Sequence, residues 1–353
     1  MKHLFKILLV LINLMQVMYA QQSSLEFTFT KNKVLIKKDK LPEGRIVIFK
    51  GEISEDKLDS STPILGKTIK AQEGTLFTPV VPFGWNQKYT LVYNHIIEYF
   101  KLTIPENYEP LSVTKIYPSA TILPSNLLKL YIQFSKPINT TSIYNHIRFI
   151  NHAGDTLSKT ILPLENPLIS DDKTVLTLWI EPGRQKRGLK PNQQLGPVFN
   201  KETYRLIVTK NIKDNNGVSM QKDFIHPFSI GDTDRIKPTI DDWKIDIPKT
   251  NSTSKLLIRC NESMDYGSVR DNIYIVDSSM QEIKGTWQLL EQETILSFQP
   301  IELWKNGYYQ ILCNPEIEDL AGNNLNRLFD KEIKNTSNNQ SNHQKYSLGF
   351  TIN

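Results

Sequence analysis

The sequence predicts an all-β protein built from antiparallel β-sandwiches in tandem. Three observations predict it. Short alternating runs rich in Ile, Leu, Tyr, Phe and Thr recur along the chain, separated by Pro, Gly, Asn and Asp. Helix signals are scarce after the first twenty residues. A pattern of about 115 residues occurs twice, and more faintly a third time.

Residues 1–20 read as a secretory signal peptide. Lys2, His3 and Lys6 give a short positive start, and Ile7–Met18 is apolar except for Asn13 and Gln16. Ala20 suits the last position before a cut, although Met18 is larger than the residue usually found there. The run is short for a spanning helix, which needs about 20 apolar residues. An uncleaved N-terminal anchor is the alternative. No later window reaches spanning length, so no transmembrane segment is expected once the signal is removed.

Residues 21–107 form the first expected sandwich, residues 108–232 the second and residues 236–353 the third. Each contains a strand ending in apolar-x-Pro and, further on, Tyr-x-(Leu/Ile). These are Phe77-Thr78-Pro79 with Tyr89-Thr90-Leu91, Ile180-Glu181-Pro182 with Tyr204-Arg205-Leu206, and Phe298-Gln299-Pro300 with Tyr309-Gln310-Ile311. Proline ends a strand because it cannot donate to the ladder. The tyrosines read as core anchors at the start of the next strand, with a ligand-binding aromatic as the alternative. In Leu128–Phe134 the even positions are apolar, and in Lys255–Cys260 so are Leu256, Ile258 and Cys260. That pattern predicts one buried and one wet face. Linkers are expected at 104–110 and 230–238, both short and proline-bearing and therefore stiff. The polar stretch 334–345 reads as an exposed loop.

The repeat aligns without a gap from Lys129 (KLYIQFSKPINTTSIYNHIRFI) and from Lys255 (KLLIRCNESMDYGSVRDNIYIV). Further on, Ile212, Asp214, Gly217 and Phe224 correspond to Ile317, Asp319, Gly322 and Phe329. The strand Leu130–Phe134 with Ser135-Lys136-Pro137-Ile138, then Tyr204 and Asp214-Asn215-Asn216-Gly217, resembles the SbsA-type bacterial Ig-like domain. So does the third module, through Ile317–Asn323. The resemblance covers about residues 108–353. It implies tandem Ig-like antiparallel β-sandwiches used as spacer or adhesion modules in exported bacterial proteins. Trp179–Leu189 is similar to a segment of exported proteins of Bacteroidetes-like bacteria.

If the topology is Ig-like, Cys260 and Cys313 fall on inward positions of opposite sheets. They form either an inter-sheet disulfide, which would add roughly 2–4 kcal/mol, or two free buried thiols. Asp214–Gly217 and Asp319–Asn323 read as turns capped by their aspartates. Asp232, Asp234, Asp241 and Asp242 near the second linker are either a converging calcium site or solvated linker acids.

The second module carries an insertion. Pro182 to Tyr204 spans 22 positions, against 10 from Pro79 to Tyr89 and 9 from Pro300 to Tyr309. The insertion holds Arg184, Lys186, Arg187 and Lys190, the candidate binding residues for carboxylates or phosphates of a partner. A solvated basic loop, or one docked on a neighbouring module, is the alternative.

Composition excludes several classes. Of 353 residues, 39% are hydrophobic and 22% charged, as in ordinary globular proteins. The net charge of +5 falls to about +3 without Lys2 and Lys6, too weak for a nucleic-acid surface. No Gly-x-Ser-x-Gly elbow, phosphate-cradling glycine loop or His-Glu-x-x-His motif is present, so no catalytic residues, cofactor or metal are assigned. The adjacent acids Asp171 and Asp172 could serve a glycosidase but more simply mark a turn. The expected protein is exported to the periplasm, cell surface or medium. It is non-enzymatic and structural or adhesive, with a cell-envelope protein or glycan as partner and no nucleic acid. The alternative is an accessory enzyme or substrate-binding protein in polysaccharide handling, with its site between modules.

Overall fold

The computed structural model describes residues 25–37, 44–330 and 346–353. The expected signal peptide and the polar stretch 334–345 lie outside the described residues. The chain divides into two compact units, Met1–Glu109 and Pro110–Asn353.

The first unit contains β1 (Glu26–Thr30), β2 (Lys33–Lys37), β3 (Ile46–Lys50), β4 (Gly66–Ala71), β5 (Gly74–Pro79), β6 (Lys88–Tyr93) and β7 (Ile96–Lys101). They form two sheets, ordered β1-β2-β5-β4 and β3-β6-β7. Their inner faces share a core in which Phe83, Tyr89 and Phe100 interlock by edge and stacked contacts.

The second unit holds two sandwiches. The first has β8 (Val113–Tyr117), β9 (Ile122–Leu123), β10 (Lys129–Phe134), β11 (Ile147–Asn151), β12 (Val175–Trp179), β13 (Thr203–Val208) and β14 (Phe224–Ile230). The other has β15 (Lys244–Asp246), β16 (Leu256–Arg259), β17 (Ile273–Asp277), β18 (Gly285–Leu290), β19 (Ile295–Pro300), β20 (Gly307–Cys313) and β21 (Tyr346–Ile352). Three short helices interrupt them: α1 (Pro182–Gln185), α2 (Lys190–Leu195) and α3 (Tyr266–Asn272). The sheet orders are β12-β10-β8 and β11-β13-β14-β9, then β15-β16-β19-β18 and β17-β20-β21. All named pairs are antiparallel except β14 with β9. The chain is thus all-β, with tandem Ig-like antiparallel sandwiches.

Alternation explains the layers. Leu130, Ile132 and Phe134 bury against Phe149, Leu206 and Phe228 of the facing sheet. Leu256 and Ile258 meet Ile275, Ile311 and Phe350 in the same way. The repeated aspartates build the same turn twice. Asp214 Oδ1 accepts from the amides of Asn216 and Val218, and Asp319 Oδ1 from those of Ala321 and Asn323, all at 2.8–2.9 Å. The repeated tyrosines are core anchors. Tyr89, Tyr204 and Tyr309 are buried, and their hydroxyls accept from the amides of Gly84, Asn200 and Lys305 at 2.6, 2.8 and 3.2 Å. Each phenol closes the corner that leads into its own strand.

Candidate functional site

The odd-numbered face of β10 carries Lys129, Tyr131 and Gln133. Strand parity makes this the wet face, but the following sandwich covers most of it, and Tyr131 is only 5% exposed. Its hydroxyl donates to the carboxylate of Asp265, with Oδ1 at 2.8 Å and Oδ2 at 2.9 Å. Asp265 is also the N-cap of α3, accepting from the Ser268 amide at 2.8 Å. Lys129 reaches Glu318 at 2.5 Å and Asp265 at 3.5 Å. Burial alone would lower the Lys129 pKa, but the two carboxylates outweigh it and hold the ammonium charged. Burial and the adjacent Asp265 push the Tyr131 phenol far up, so it remains a donor.

Aromatic and backbone contacts complete the junction. Tyr117 stacks on Tyr266 with ring centres 4.0 Å apart. Leu128 donates its amide to the Leu320 carbonyl at 3.0 Å, and Leu320 packs into the core of the preceding sandwich. Two glycines permit this approach. A Cβ on Gly267 would lie 2.5 Å from the Tyr131 hydroxyl, and one on Gly322 (φ +78°) would lie 2.3 Å from Leu128 Cδ2. The tip of the β18–β19 hairpin, Glu291, Gln292 and Glu293, has three consecutive left-handed residues. Such conformations are strained for non-glycine residues. The tip delivers the Glu293 carboxylate to Ser119, which donates its amide at 2.8 Å and its hydroxyl at 2.6 Å.

Beside this junction lies a cleft of about 630 Å³. Gln133, Ser170, Asp171, Asp172 and Thr174 line one side; Tyr266, Arg270, Thr286 and Trp287 line the other. A second hollow of about 430 Å³ shares Ser170, Asp171, Val175, Tyr266 and Arg270, and adds Asp271. Asp172 is spent on its own turn, accepting from the hydroxyls of Ser170 and Thr174, which hold its carboxyl below the usual range. Among the described residues, the Asp171 and Gln133 side chains have no hydrogen-bond partner. Arg270 rests against the Tyr266 ring, 5.7 Å from its centre, with one long contact of 3.5 Å to its hydroxyl.

The basic insertion is not an open loop, because α1 and α2 fold it. Arg184 is buried, and its guanidinium donates to five backbone carbonyls, those of Ser158, Lys159, Leu195, Gly196 and Pro197. Arg187 is exposed but pairs with Asp330 of the following sandwich at 2.6 Å, and its amide donates to the same carboxylate. Burial would raise the Asp330 pKa, but Arg187 and Arg235 hold it below the usual range. Among the described residues, the side chains of Lys186 and Lys190 have no hydrogen-bond or ion-pair partner, while the Lys186 amide donates to the Pro182 carbonyl at 3.0 Å. Cys260 and Cys313 are both free thiols, Cys313 in the core and Cys260 against its edge.

Of the four linker acids, Asp232 pairs with Lys201 and Asp242 accepts from Thr239. Asp234 instead meets Glu262 and Asp319, with carboxylate oxygens within 4.8 Å of one another. Among the described residues this is the only group of three potential metal-ligating side chains, and a cluster of acids is by itself no metal site. Burial and Asp234 push the Glu262 pKa up to about 7; burial and both neighbours push Asp319 up to about 8.

This geometry is that of tandem Ig-like antiparallel sandwiches. Residues 234–350 match the family described as bacterial Ig-like domain. No curated protein matches the chain. Among solved structures, native alpha-2-macroglobulin from Escherichia coli, spanning domains MG0-NIE-MG1, is similar at 12% identity over 69% of this chain and 72% of that one, with a TM-score of 0.23. The N-terminal part of the bacterial S-layer protein SbsC is similar at 12% identity over 57% and 40%, TM-score 0.25. The chicken CNTN1 FN1-FN3 domains are similar at 14% identity over 85% and 93%, TM-score 0.20. These likenesses are of fold alone. No helix among the described residues is long and apolar enough to cross a membrane.

Proposed function

We propose that this chain is an exported, non-enzymatic protein with a structural or adhesive role at the cell envelope, in the periplasm, on the surface or released nearby. Its modules would be residues 21–107, 108–232 and 236–353, following a signal peptide at 1–20. One observation carries the reading: the last two sandwiches are joined through the Tyr131–Asp265–Lys129 network and a shared apolar core, rather than strung on a loose linker. A joined pair holds loops at fixed spacing, which suits a spacer or a presenting platform.

The match to a bacterial Ig-like domain supports export and a non-catalytic role. With Arg184 and Arg187 committed within the protein, Lys186 and Lys190 are the side chains of the basic insertion left for an anionic partner. The cleft lined by Asp171, Arg270 and Trp287 favours a second reading, a substrate-binding protein in polysaccharide handling. Fractionating the producing cells and locating the chain by antibody tests the main reading. Recovery with the envelope, at a mass lacking the first 20 residues, is expected; recovery in the cytosol at full mass overturns it.

A further inference from the structure

We propose that the cleft between residues 170–174 and 266–287 binds a neutral glycan. The Trp287 ring lies under an apolar sugar face, while Asp171, Arg270 and Gln133 exchange hydrogen bonds with the hydroxyls. The inference rests on the binding-module reading above and names the ligand class.

Four observations combine. The cleft's volume of about 630 Å³ lies within the size range of ligand sites, roughly 300–1,000 Å³. It adjoins the neighbouring hollow of about 430 Å³ through shared lining residues, which adds room for more than one ring. The lining pairs aromatic surface with planar polar groups whose bonding capacity is mostly unspent. Asp171 accepts two hydroxyls, Arg270 donates the N–H groups that its one long contact to Tyr266 leaves, and Gln133 does both. A pyranose needs that mixture, having apolar C–H faces and a rim of hydroxyls that donate and accept. Tyr266 cannot stack on both sides, because Tyr117 occupies one face of its ring. Trp287 contacts Phe298 in the core and also reaches the cleft, so it supplies the platform.

Charge narrows the class. Asp171 and Asp172 line the cleft, Asp171 and Asp271 the second hollow, and Arg270 is the one cation among the lining residues of either. The surplus of negative charge disfavours phosphate, sulfate and uronate groups. The two walls come from different sandwiches fixed by the Tyr131–Asp265 junction, so the polar groups are held in place before a ligand arrives.

The test is affinity electrophoresis of the purified full chain through gels containing mixed-linkage β-glucan, xylan, galactomannan or glycogen, with polygalacturonate as the anionic control. At least one neutral polysaccharide is expected to retard the chain. Asp171→Asn and Arg270→Gln, both on exposed side chains, are each expected to weaken retardation at least tenfold with the melting temperature unchanged. Trp287→Phe keeps an apolar ring and is expected to retain partial binding. Retardation by none of the neutral polymers, equal retardation of the variants, or stronger retardation by polygalacturonate overturns the proposal. A chain that fractionates with the envelope but is not retarded removes the glycan site and leaves the module reading standing. A retarded chain found only in the cytosol does the reverse.

Discussion

The Tyr131 hydroxyl and the Asp265 carboxylate meet across two sandwiches at 2.8 and 2.9 Å, and the same carboxylate caps α3. One side chain therefore starts a helix in its own module and fastens the neighbour. Local folding and module docking depend on the same group.

Replacing either partner separates these roles. Tyr131→Phe removes one hydrogen bond and is expected to cost about 1–2 kcal/mol. Asp265→Ala also removes the cap and strips Tyr131 of its acceptor, while Lys129 keeps Glu318, at about 3 kcal/mol or more. Thermal melts of the full chain check both, at roughly 2–4 °C per kcal/mol for a unit of this size. The double variant should fall short of the sum; strict additivity would deny the coupling.

Gly267→Ala places a methyl 2.5 Å from the Tyr131 hydroxyl. Overpacking of this kind costs about 1–3 kcal/mol. Combining it with Tyr131→Phe should restore part of the lost melting temperature, although the ring carbons remain 3.0 Å away.

Stability should fall as pH rises from about 5 to 8.5. Glu262 and Asp319 have folded pKa values raised to about 7 and 8, above their unfolded values. The folded chain therefore binds more protons across this window, and its advantage is lost as both groups ionise. The depressed carboxyls of Asp172 and Asp330 act in the opposite sense, at lower pH. Glu262→Gln should flatten the profile and raise the melting temperature at pH 8 by about 2 °C. A wild-type profile that rises with pH through this window would contradict the assignment.

Arg184→Ala should loosen the insertion without disturbing the junction. Five carbonyls lose their donor, so limited proteolysis is expected to cut within 186–200. Arg184→Lys should not rescue it, because an ammonium cannot reproduce the planar fork.

The two thiols should resist modification in the folded chain. Burial pushes Cys313 up to about 12 and Cys260 higher, so neither forms thiolate near neutrality. Labelling with a thiol-reactive chromophore is expected to be slow in buffer and rapid in denaturant.

The layered cores were legible in the sequence because period-two alternation is a local property. Leu130, Ile132, Leu256 and Ile258 occupy the inner faces their parity assigns. The equivalent turns at Asp214 and Asp319 were legible through the repeat. The junction and cleft were not, because parity assigns Lys129, Tyr131 and Gln133 to solvent and is silent about a second sandwich lying on them. A tyrosine on the polar face of β10 was the available signal. Arg184 was misleading for a similar reason. Its basic neighbours suggest an open loop, while the carbonyls that enclose it come from Ser158 and Lys159, some 25 residues upstream, and from 195–197. The acid cluster drew only Asp234 from the linker, and its other two members come from separate turns.

Leu320 inserted into its neighbour's core has a mechanical consequence. Two beads on a string, drawn out by their ends, would give way one after the other. Here the first to rupture strips an apolar residue from the interior of the second, so a force trace across 110–353 should show a single large release instead of two equal ones.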